Sequence, residues 1–131
     1  MLGSGFIGRF YADSLQGYRN KDKIYSRREE SAKKFAQDYN VQHWTVNMEE
    51  AVARPEVDVV CISLPNHLHE EAVMLCCKHK KAVITTKPLG RNAAEAKRML
   101  EAVEKAGIFN GYLEDLVYTP KFIKAHESVK N

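Results

Sequence analysis

The sequence predicts an α/β fold, a Rossmann-type doubly wound parallel sheet, and three observations predict it. Short apolar runs alternate with helical patterns from end to end, as parallel strands joined by crossover helices require. Residues 57–64 (VDVVCISL) are almost continuously apolar, as a strand buried on both faces should be. Residues 3–8 (GSGFIG) set three glycines just ahead of a helical pattern, the spacing of a turn that lets backbone approach a ligand.

The elements follow in order. The glycine turn opens a helix that reaches Leu15, and residues 23–26 are a short strand. Residues 29–39 put Ala32, Phe35, Ala36 and Tyr39 on one helical face. Residues 43–45 are a weak strand. Asn47 and Glu50 form a capping box for a helix through Ala53. The strong strand 57–64 leads to a helix over 68–80 and a strand over 82–86. Asn92 and Glu95 form a second capping box, and Ala93, Ala96, Met99, Leu100 and Val103 make an apolar stripe ending near Gly107. Residues 108–113 are the next strand, and Pro120 starts a last helix. The first strand is truncated, since Met1 and Leu2 alone precede Gly3, so the sequence reads as a piece of a longer protein.

Composition excludes several classes. The 131 residues fit one domain, and a net charge of +3 is too mild to argue for nucleic acid. No apolar stretch approaches the roughly 18 residues of a membrane span. Cys61, Cys76 and Cys77 fit no disulfide framework, so they read as reduced thiols in the cytoplasm. His67 and His69 stand two apart, a spacing that turns them to different helical faces, so no metal site is expected.

Each glycine has a physical task. Gly3 permits the tight turn, Gly5 leaves room for a pyrophosphate at the backbone, and Gly8 lets the helix pack close to the sheet. Ser4, Phe6 and Ile7 complete the turn, whose helix presents unpaired N–H groups and a positive dipole end to phosphate. An NAD site carries an acid about 20 positions further on. Ser26 occupies that place and Arg27 and Arg28 follow it. A hydroxyl and two guanidinium groups suit a 2′-phosphate, so the expected cofactor is NADP rather than NAD, with Arg27 as the phosphate's first partner.

With these residues in place, the chain resembles the N-terminal domain of the glucose–fructose oxidoreductase and inositol dehydrogenase family (Gfo/Idh/MocA). The resemblance rests on the glycine turn, on Ser26-Arg27-Arg28 leading into Ala32-Lys33-Lys34-Phe35-Ala36, on residues 63–69 (SLPNHLH) and on residues 86–90 (TKPLG). It implies an NAD(P)-binding domain over residues 1–117. Residues 118–131 then begin the crossover toward a substrate domain. It implies that Ser63, Leu64, Pro65, Asn66 and His69 line the nicotinamide-ribose side, and that Thr86, Lys87 and Pro88 lie near them. Family members carry Glu-Lys-Pro where this chain has Thr86-Lys87-Pro88, so the lysine's usual partner is replaced. Lys87 is the catalytic candidate, placed to hydrogen-bond a substrate hydroxyl and help move its proton.

The resemblance further implies a sugar, polyol or related cyclic alcohol or ketone as substrate. It also implies a general base supplied by the second domain and a homo-oligomer formed through that domain. Two other readings stay open: a non-catalytic NADP sensor, and another Rossmann-like enzyme such as a methyltransferase. The latter typically places an acid where Ser26 stands.

Overall fold

Leu2 stands at the centre of the sheet, 1% exposed. It forms parallel bridges to Tyr25 on one side and Ile62 on the other. Its N–H donates to the Cys61 carbonyl and its carbonyl accepts from Ser63 N–H, each at 2.8 Å. One residue thus joins two parallel ladders. The computed structural model describes residues 1–15 and 23–130.

The first ladder pairs β1 (Lys23–Tyr25) with β2 (His43–Thr45). The second runs β3 (Val59–Ile62), β4 (Ala82–Thr86), β5 (Asn110–Leu113). With Leu2 between them, the spatial order is β2-β1-Leu2-β3-β4-β5, the order of a doubly wound nucleotide-binding sheet. Leu2 thus holds the place of the first strand in that order.

The helices divide between the two faces. α3 (Met48–Ala53), α4 (His69–Lys78) and α5 (Ala93–Ala106) bury Val52, Val73 and Met99 against Val60, Ile62 and Val83. α1 (Phe6–Ser14) and α2 (Glu29–Asp38) pack Ala12, Phe35 and Ala36 against Ile24. α6 (Pro120–Lys130) follows a 3-10 turn at Asp115–Tyr118. Among the described residues no helix is long and apolar enough to cross a membrane.

Two sequence expectations are corrected here. β3 is not buried on both faces: Val60 and Ile62 are, but Val59 is 47% exposed. The reason is that α1 and α2 cover the β1 half of their face and leave the β3 half partly open. On α5, Ala93 is exposed and Leu100 is 49% exposed, while Glu95 turns inward with Met99 and Val103. Glu95 tolerates burial because Arg91 reaches it. Its carboxylate accepts from the Arg91 N–H at 2.8 Å and from Arg91 Nε at 2.7 Å, and that pairing holds the carboxyl below its ordinary range.

Both capping boxes exist as half-boxes. Asn47 and Asn92 each accept from the N–H three residues on, at 3.0 Å. Glu50 accepts instead from the Thr45 hydroxyl, which itself accepts from Asn47 N–H, and Glu95 turns to Arg91. Gly107 ends α5 at φ +64°, the left-handed cap that the sequence predicts.

Candidate functional site

The glycine turn is held by steric fit. Gly3 sits at φ +110°, and a Cβ there would stand 2.5 Å from the Ser63 carbonyl oxygen. A Cβ on Gly8 would collide with the Gly3 carbonyl. Ser63 backs the turn, its hydroxyl donating to the Leu2 carbonyl at 3.0 Å. Gly5 is different, because a Cβ there would meet nothing within 4 Å. That open space lies at the N-cap of α1, which receives no side-chain hydrogen bond. First-turn N–H groups left without a cap are an anion site in waiting.

A cleft of about 320 Å³ opens at this point, lined by residues 3–7, 26–28, 31 and 63–65. Ser4 and Ser26, on opposite walls, are joined by a hydroxyl–hydroxyl hydrogen bond of 2.8 Å, and Ser26 is 6% exposed. Arg27 and Arg28 stand exposed at the same end. α2 starts there with Arg28 at its N-cap and no side-chain cap either. Arg9 links α1 to α2, donating to Asp38 at 2.9 Å and lying 5.8 Å from the Phe35 and Tyr39 ring centroids. The bond to Arg9 holds the Asp38 carboxyl below its usual value.

The cleft brings together eleven of the residues singled out in the sequence: Gly3, Ser4, Gly5, Phe6, Ile7, Ser26, Arg27, Arg28, Ser63, Leu64 and Pro65. Ser31 joins them without having been foreseen. Its signal was present, a hydroxyl in the first turn of the helix that follows the arginine pair. Gly8 lies behind the cleft, pressed on Gly3. Asn66, His69, Thr86, Lys87 and Pro88 do not line it.

These last residues form a second group at the carboxyl ends of β3 and β4. Lys87 is exposed and joined to Pro88 by a cis peptide bond, and Thr86 is buried. Asn66 opens a 3-10 turn (Asn66–Leu68), and its Oδ1 is buried with no hydrogen-bond partner among the described residues. His69 does not border the cleft. It is 1% exposed, with Nε2 2.9 Å from the Leu64 carbonyl and Nδ1 3.0 Å from the Pro88 carbonyl. Its ring supports the wall from behind, because both nitrogens are turned to backbone oxygens.

The donor set fits a dinucleotide. Backbone lies open at Gly5 for a pyrophosphate, uncapped helix ends face it, and hydroxyls and guanidinium groups mark one end. Among the described residues no group of three or more His, Cys, Asp or Glu could hold a metal ion. Cys76 belongs to the core, and burial pushes its thiol up to about 12.

Comparison with known proteins agrees with this geometry. Residues 1–111 match the family model described as an oxidoreductase family with an NAD-binding Rossmann fold, GFO_IDH_MocA. Trans-1,2-dihydrobenzene-1,2-diol dehydrogenase of Macaca fuscata fuscata is 34% identical over 100 residues, covering 76% of this chain and 29% of that protein. The scyllo-inositol 2-dehydrogenase (NADP(+)) of Bacillus subtilis is 32% identical over 105 residues, covering 79% of this chain and 32% of that protein. A crystal structure of a probable dehydrogenase from Thermotoga maritima superposes with a TM-score of 0.89 at 29% identity, covering 99% of this chain and 39% of that one. The chain thus spans well under half the length of these relatives.

Proposed function

The chain belongs to the Gfo/Idh/MocA family of NAD(P)-binding oxidoreductases, and we propose that it is the cofactor-binding part of an enzyme that prefers NADP. The observation that carries the preference is the end of β1, where Ser26, Arg27 and Arg28 border the cleft in place of the acid that would bind a free 2′-hydroxyl. Ser31 adds a hydroxyl at the same end. A relative whose name specifies NADP(+) lends support.

When bound, the nicotinamide ring supplies the hydride chemistry. The chain's own residues bind and orient the dinucleotide. The N–H groups of α1 and the open backbone at Gly5 take the pyrophosphate. Arg27 and Arg28, with Ser31, take the 2′-phosphate. Leu64, Pro65 and Asn66 form the nicotinamide side, with the Asn66 amide oxygen free to accept a hydrogen bond. Lys87 hydrogen-bonds the substrate oxygen and helps move its proton as hydride leaves the same carbon.

The substrate class we propose is a sugar, polyol or related cyclic alcohol or ketone, in keeping with relatives named for a dihydrodiol and an inositol. In a protein of the relatives' length, residues beyond 117 lead to the domain that completes the substrate pocket and supplies the base.

Calorimetric titration of the folded chain with NADPH and NADH tests the cofactor. NADPH should bind more tightly. Arg27→Ala should weaken NADPH by about 10- to 100-fold, the worth of a charge-assisted hydrogen bond, and leave NADH unchanged. Equal affinity for the two cofactors in the unaltered chain would sink the NADP assignment.

A further inference from the structure

The β3–β4 ladder ends at the pair Ile62 and Thr85. Beyond it the two segments part, Thr86 staying paired with Leu113 and Ser63 bonded to Leu2, and the carbonyls of Leu64 and Pro88 lie past the last β3–β4 ladder pair. The ring of His69 reaches both. Nε2 is 2.9 Å from Leu64 O, and Nδ1 is 3.0 Å from Pro88 O and 3.3 Å from Leu89 O. We propose that His69 is a positioning residue, whose ring ties the turn after β3 to the turn after β4 and so sets the gap between residues 64–66 and Lys87.

The chemistry of the ring suits this task. One ring nitrogen donates to a backbone carbonyl and the rigid plane packs its other edge against the second turn, so the ring fixes a separation where a flexible side chain would not. Its burial keeps water from replacing either contact. Its own position is set by α4, which begins at His69 and packs against α5, β3 and β4. Leu64 lines the cleft, and Lys87 precedes Pro88 directly, so the ring acts on Leu64 itself and on Lys87 through one peptide bond. The inference rests on the cofactor reading above, in which the nicotinamide lies on the Leu64 and Lys87 side.

Two ligands and two variants test it in the full chain, with folding verified by circular dichroism. Adenosine 2′,5′-bisphosphate occupies only the arginine end of the cleft, and NADPH occupies both ends. His69→Gln keeps an amide N–H near the Nε2 position and loses the Pro88 contact. His69→Asn keeps one near the Nδ1 position and retains that contact. Either substitution frees one of the two turns, so NADPH affinity relative to the bisphosphate should fall about tenfold in both, with the bisphosphate itself changed by less than about twofold. Variants that bind NADPH as the unaltered chain does, or that lose both ligands in parallel, overturn the positioning role. An unaltered chain that binds neither ligand overturns the cofactor reading itself, and this inference with it.

Discussion

Two kinds of helix start share this sheet. α1 and α2 open onto the cleft, and neither Gly5 nor Arg28 at their N-caps receives or gives a side-chain cap. α3 and α5 do not border the cleft, and each is closed by an asparagine that accepts from the third N–H on. The difference is one of where the four orphan N–H groups of a helix find partners. A capped end satisfies one from within the protein and gains stability. An uncapped end beside open backbone keeps them for an anion, and the fold forgoes that stabilisation.

The largest effect is expected where the uncapped turn is sterically closed. Gly3→Ala forces a positive φ on alanine and drives its Cβ to 2.5 Å from Ser63 O. It should cost about 3 kcal/mol or more, lowering the melting temperature by about 10 °C or more. A melt within about 2 °C of the unaltered chain would mean that the turn is held by something other than fit.

Next comes Gly5→Asn, which gives α1 the cap that α5 already has. Nothing lies within 4 Å of the new Cβ, so the melting temperature should hold or rise. NADPH affinity should fall about 100-fold as the side chain takes the pyrophosphate's place and partners. Retained affinity would show that the phosphate sits elsewhere. The smallest effect belongs to the capped end. Asn92→Ala should cost about 1 kcal/mol with no change in NADPH binding, read by urea melts and calorimetry together.

Much of this was legible from residue types alone. The glycines at 3, 5 and 8 carry their tasks in their spacing, and the structure separates them: two are close-packed and one is open. The caps at Asn47 and Asn92 were legible because an N-cap is a contact between near neighbours. The glutamates of the same boxes were misread, since Thr45 and Arg91 offered them nearer partners. The apolar stripe of α5 was misread for a related reason. Periodicity admits several faces, and the Arg91 pairing turned Glu95 inward in place of Leu100. Val59 was misjudged because an unbroken apolar run says nothing about which helices cover the sheet.

Residue types alone carried the order of elements, the parallel sheet, the glycine turn and the basic end of β1, because each depends on residues within a few positions of one another. The tertiary structure decided the rest. It made Leu2 a whole strand's worth of sheet by placing it between Tyr25 and Ile62. It brought Ser31 into the cleft, joined Ser4 to Ser26, and set the buried His69 ring against the carbonyls of Leu64 and Pro88. Those are contacts between segments far apart in the chain, and only the packing of helices on the sheet fixes which distant atoms meet.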